Sequence, residues 1–197
     1  AAYRKLCQEL RSSSRDDPMA VSARGQLVDD LPAETAAELA SRVERMLDAM
    51  DDKKNSTESS DKKHRYAGMF YGVNLYVAGW AHLRAGNNEQ ALRRLEESNQ
   101  TNWFGRGIAH PLIAIAHHRL GSAEDALHSF NESKELLERL LTDSVEKSTG
   151  SPPIPWVDWI EFLLHHREAS IVVKGHTPAV DQRILQMQRF SEAAIEE

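Results

Sequence analysis

Nine histidines are the residues in this chain best equipped for chemistry, and their spacing limits what they can do. No HExxH is present, and no pair at i, i+4 with a nearby acid makes a zinc set. His117 and His118 are adjacent, as are His165 and His166. On a helix such neighbours point about 100° apart, so neither pair converges on one ion. The histidines are therefore read as packing residues rather than metal ligands, with no metal and no cofactor expected. Phosphoryl transfer is no better supplied. The glycine loop over the phosphates, the strand lysine and the catalytic loop with Asp and Asn are all missing. Gly105–Arg106–Gly107 precedes a helical stretch and could in principle cradle an anion, but reads as a turn. Cys7, the single cysteine, has no partner for a disulfide or a CxxC site. A reducing, cytoplasmic setting is expected.

A net charge of −6 argues against a nucleic-acid partner, whose binders usually carry a basic face. Tyr66 to Leu83 runs 18 residues without Asp, Glu, Lys or Arg. It holds Asn74, His82 and three tyrosines at the lower limit of spanning length, so no membrane segment is expected. The opening AAYRKLCQEL lacks a signal pattern and is already amphipathic, which reads as a boundary inside a longer protein.

The elements that would position these residues are helices throughout. Tyr3, Leu6, Cys7 and Leu10 form one apolar stripe. Pro18 starts a helix to about Val28, and Pro32 another with Ala36, Leu39, Val43, Leu47 and Met50 on one side. Residues 1–50 thus read as degenerate helical repeats. Residues 51–65, without one apolar side chain, read as a flexible polar loop. Helices are expected over Tyr66–Ala85, Asn88–Gln100, Arg106–Leu120 and Ala123–Val145, with Gly86 and Gly121 as left-handed caps. After the SPPIP break come Trp156–Val173 and Pro178–Ala194, the latter with Val180, Ile184, Met187 and Ala194 in register. No two-residue alternation marks a strand.

Within this pattern the chain repeats itself. Ala81–Ser98 (AHLRAGNNEQALRRLEES) and Ala116–Ser133 (AHHRLGSAEDALHSFNES) match at 9 of 18 positions, 35 residues apart. Average composition predicts about one match. Paired helices recurring at this period imply an α-solenoid, since one such unit cannot bury its apolar face alone.

The phrase resembles the tetratricopeptide repeat. Gly79 and Ala114 stand at its small position on the first helix, Ala91 and Ala126 at the start of the second, and Leu95 and Phe130 four residues on. His82 and His117 occupy the place of its usual aromatic, and its closing proline is absent. PWVDWIEFLLHHREAS, Pro155–Ser170, resembles a signature closing a group of planctomycete-type bacterial serine/threonine kinase-related proteins. AYRKLCQEL and AHHRLG point the same way.

The resemblance implies a right-handed solenoid with two repeats over 66–148 and a capping helix pair over 155–197, plugged by Trp156 and Trp159. It also implies a concave groove walled by Val73, Tyr76, Trp80, Leu83 and Arg84, then by Ile108, Ile115, His118 and Arg119. Clamps for a C-terminal carboxylate use Lys and Asn there; Tyr76, Trp80, Pro111 and Ile115 stand instead. The expected function is a non-catalytic scaffold holding a helical or extended peptide, with self-association through solenoid ends a further expectation. The alternatives are a regulatory tail acting in cis on an absent kinase domain, and a histidine-based metal hydrolase.

Overall fold

The computed structural model describes residues 20–28, 31–56, 61–146, 154–187 and 189. Among them there is no strand, and the protein is all-α. The helix expected over Tyr3–Leu10 lies outside the described residues. The chain divides into two compact units, Ala1–Ala109 and His110–Glu197.

The first unit contains α1 (Ala20–Leu27), α2 (Ala33–Ser56), α3 (Asp61–Arg84) and α4 (Asn88–Gln100). Ala36, Leu39, Ala40, Val43 and Leu47 are buried along α2, as helical spacing requires of its inner face. Asp51, Met50 and Glu44 of α2 bond Tyr71, Asn74 and His82 of α3 in turn. One series falls as the other rises, so the two helices are antiparallel. Both extend into the polar stretch read as a loop: 51–56 and 61–65 are helical. Lys53, Lys54, Lys62, Lys63 and Arg65 are good helix formers, and the end of a helix packed elsewhere along its length does not need an apolar face. Between α3 and α4, a Cβ on Gly79 would meet Leu95 Cγ at 2.5 Å. The missing side chain is what lets the two axes approach.

The second unit contains α5 (His110–Arg119), α6 (Ala123–Glu146) and α7 (Trp156–Ala169), which runs on as a single π turn, Ser170–Lys174. Gly175, at φ 76°, ends it. Helix α5 begins four residues later than the sequence pattern suggests. Gly107 sits at φ 98°, which a right-handed helix excludes, and Pro111 fits the first turn, where no N–H is needed. Beyond the π turn, only 182–187 is a continuous helical run; Val180 lies before it, 64% exposed. The second helix of the expected capping pair is therefore short where described, and Ala194 lies outside the described residues.

Each unit holds one copy of the repeated phrase, and the two turns match bond for bond. Gly86 and Gly121 both take φ 83°. Asn87 N donates to His82 O and Ser122 N to His117 O, each at 2.9 Å. Gly86 N reaches Leu83 O at 3.3 Å and Gly121 N reaches His118 O at 3.1 Å, completing a Schellman cap in both. The next helix starts alike, with Ala91 N on Asn87 O and Ala126 N on Ser122 O, both 2.9 Å. Ala91, Leu95 and Ser98 are buried, and so are their counterparts Ala126, Phe130 and Ser133. An added Cβ at either glycine meets nothing within 4 Å, so a substitution there acts through backbone strain alone. We therefore expect Gly86→Ala and Gly121→Ala to destabilise their units by a similar amount, about 1 kcal/mol each. Paired thermal melts of the two variants check this.

Candidate functional site

The nine residues expected to wall a groove fall in both units, and most of them are core. In the first unit Tyr76, Trp80 and Leu83 are completely buried, and Ile108 is 1% exposed; Val73 and Arg84 are half-buried. In the second, Ile115 is completely buried while His118 and Arg119 are exposed. Buried rings cannot meet a peptide, and the neighbours that cover them are identifiable. The Arg24 guanidinium of α1 lies over the Tyr76 ring, 5.7 Å from its centre. Tyr76 packs tilted on Trp80 at 6.0 Å and on Trp103 at 5.6 Å. Trp103 itself fits because Gly72 and Gly105 lack side chains; a Cβ on either would meet its ring, at 2.7 Å and 2.4 Å. Ser98 Oγ donates to Gly72 O at 2.9 Å in the same place. The expected apolar floor is thus buried core: Tyr76, Trp80, Leu83 and Ile108 in the first unit and Ile115 in the second.

The Gly105–Gly107 loop is a turn. Arg106 N donates to Trp103 O, Ile108 N to Gly105 O, and Gly107 N to Asn99 Oδ1 at 3.1 Å. Those three N–H groups are spent internally and do not point at an anion.

Two polar clusters join residues too far apart in the chain for spacing to reveal. The first ties three helices together. Arg94 of α4 grips both carboxylate oxygens of Glu44 on α2, with Nε at 2.9 Å from Oε1, and reaches Glu97 at 2.6 Å. His82 of α3 donates from Nε2 to Glu44 Oε1 at 3.0 Å. Burial pushes the Glu44 carboxyl up, but Arg94 and then His82 outweigh it and hold it below its usual range. This is a bracket across the hairpin that engages both oxygens of Glu44.

The second cluster lies in the other unit. Ser133 Oγ and His166 Nδ1 are 2.7 Å apart, the spacing of a nucleophile and its base. Both are buried, with His166 stacked on Phe130 at 5.2 Å and 15° and tilted on Phe162 at 6.1 Å. No acyl carbon can reach Ser133 through those rings, so the pair is a packing contact and not a dyad. Nearby on α5 and α6, His110 Nδ1 is 3.0 Å from Glu132 Oε2, and His128 Nε2 is 3.8 Å from Oε1. Burial lowers the proton affinity of His110, Glu132 raises it, and His128 lowers it again; the net shift is downward. Among the described residues, no group of three or more His, Cys, Asp or Glu is placed to hold a metal ion. No helix among them is long and apolar enough to cross a membrane.

What remains open to a partner is surface. A shallow groove of about 650 Å³ runs along α6, lined among others by Lys134, Glu138, Arg139 and Asp143. Arg183 reaches Glu138 with two bonds of 2.6 and 2.7 Å. The more apolar surface is on α7. Trp159 is buried, whereas Trp156, expected to plug the solenoid end with it, is 54% exposed. Leu164 and Ile171 are exposed with it, Ile160 and Leu163 are half-buried, and Arg167 is exposed among them. Positions 156, 160, 163, 164, 167 and 171 fall on one helical stripe about 22 Å long at 1.5 Å per residue.

No family model matches the sequence, and neither a curated protein nor a solved structure matches it.

Proposed function

We propose that this chain is a non-catalytic protein-binding module of paired helices, whose partner lays an amphipathic, acid-bearing helix or peptide along α7. The carrying observation is the stripe of Trp156, Ile160, Leu164 and Ile171 with Arg167 in its midst. Apolar side chains at this spacing match the anchors of a helix laid lengthwise, and an exposed guanidinium selects a carboxylate opposite. Tryptophan and arginine are also the residues that most often dominate such contacts. The helix carries the PWVDWIEFLLHHREAS phrase, so one segment holds both that sequence and an apolar open face. The concave groove is not retained in this reading, because its tryptophan and tyrosine are buried.

A photo-crosslinking side chain at Leu164, used in lysate of the source organism, tests the reading. The expected adduct is a segment with apolar residues three and four apart and an acidic residue between them. Arg167→Glu should reduce its yield about tenfold, the effect of some 1.4 kcal/mol. Equal labelling from a probe at Asp125 on α6, indifference to Arg167→Glu, or a second copy of this chain as the product would each contradict it.

A further inference from the structure

We propose that His166 is an acid-sensitive latch: its neutral ring ties α7 and the π turn to α6, and protonation loosens that attachment. The latch is independent of what binds α7, and it stands first on geometry. His166 Nδ1 meets Ser133 Oγ at 2.7 Å between two elements 33 residues apart. The ring stacks on one partner, Phe130, over which the π turn also brings Lys174 Nζ, 6.0 Å from the ring centre. One phenyl ring of α6 thus contacts both α7 and the turn that follows it. A neutral imidazole suits this place, since a hydroxyl can donate to Nδ1 or accept from it. An imidazolium does not, because its charge would be enclosed beside Phe130 and Phe162 with cations nearby.

The surroundings offer little to neutralise such a charge. Helix α6 contributes Lys134, and the π turn contributes Lys174. Helix α5 has no acidic residue; its titratable groups are His110, His117, His118 and Arg119. On its own helix the acids are Asp158, Glu161 and Glu168; Glu161 and Glu168 lie on other faces, and Asp158 stands eight residues off along the same face, about 12 Å away at 1.5 Å per residue. His165 and Arg167 are its adjacent neighbours. Glu132 on α6 is turned to His110. Burial first, then Lys134, lowers the proton affinity of His166 below the ordinary histidine value.

The sign follows from linkage. The opened form keeps the ordinary affinity, near 6.5, and takes up the proton before the closed form does. The closed form is fully favoured above that pH and loses ground as pH falls through it. One proton shifts the opening equilibrium by at most about tenfold per pH unit.

Hydrogen exchange of the full chain at pH 7.5 and 5.5, corrected for intrinsic rates, reads this directly. Amides of 160–174 should exchange several-fold faster at pH 5.5 in the wild type and in His110→Gln. In His166→Asn, whose amide stands where Nδ1 stood and does not titrate, the acid response should vanish. An unresponsive wild type, a response surviving in His166→Asn, or one lost in His110→Gln instead would overturn the latch. Should His166→Asn fail to fold, NMR titration of the His166 ring in the wild type decides: titration below 6.5 supports it, at or above 6.5 overturns it.

Discussion

Trp80→Ala should unfold the first unit at moderate temperature, with a loss of about 3–5 kcal/mol, rather than spare the fold and abolish binding. The side chain is completely buried and touches Tyr76, which in turn lies beneath Arg24 and against Trp103. Removing the indole leaves a cavity in the core beside Tyr76, and helices pinned by their own hydrogen bonds collapse only partly into it. A domain is stable by only about 5–15 kcal/mol, so this is a large share of the total. Thermal or urea denaturation followed by circular dichroism measures it. Unchanged stability with lost partner capture would restore Trp80 to the surface.

Gly79→Val is the second large effect, through the opposite mechanism. Its Cβ would stand 2.5 Å from Leu95 Cγ and 3.0 Å from the Leu95 backbone nitrogen. The leucine side chain can rotate, but the backbone of α4 cannot yield without moving the helix. Overpacking of this kind costs about 1–3 kcal/mol or more, and Val adds bulk on both sides of χ1. The bracket joining Glu44 to Arg94 and His82 crosses the same helices, so a shift of α4 also strains those bonds. Gly79→Val should therefore lower the denaturation midpoint, and Leu95→Ala in the same chain should recover part of the loss. The double-variant cycle in urea checks both statements; no recovery would mean the clash is not with Leu95.

The features legible in the sequence were those set over short range. Two glycines at matching places, flanked by the same phrase, specify a Schellman turn from residues six apart at most, and both turns form. Periodicity marks α2, and the glycine joints of the repeated phrase mark α4 and α6, for the same reason. The apolar pattern of α5 continues upstream of its start, while Gly107 and Pro111 decide where right-handed geometry can begin. The polar stretch at 51–65 has no apolar pattern to mark a helix, yet 51–56 and 61–65 continue the turns of α2 and α3.

The site was harder, because burial is decided by partners far along the chain. Nothing near Trp80 announces that Arg24 and Trp103 will close over its neighbour Tyr76. Trp156 and Trp159 share one turn of α7 and differ only in the direction they face, which the adjoining helices determine. The bracket spans 50 residues and the His166 contact 33. One signal was available for the latter: Ser98 and Ser133 end the two copies of the phrase on the face that also buries Leu95 and Phe130. A polar residue kept at a core position twice asks for a partner. Ser98 finds the Gly72 carbonyl and Ser133 finds His166.

Two tryptophans divide the labour, Trp80 holding the core and Trp156 lying exposed on α7, where a partner is proposed to dock. Acrylamide quenching of two single-tryptophan chains, one retaining Trp80 and one Trp156 with phenylalanine at the other positions, tests it most directly. The account predicts a quenching constant several-fold smaller for Trp80. Equal quenching of the two, or a more accessible Trp80, would contradict it.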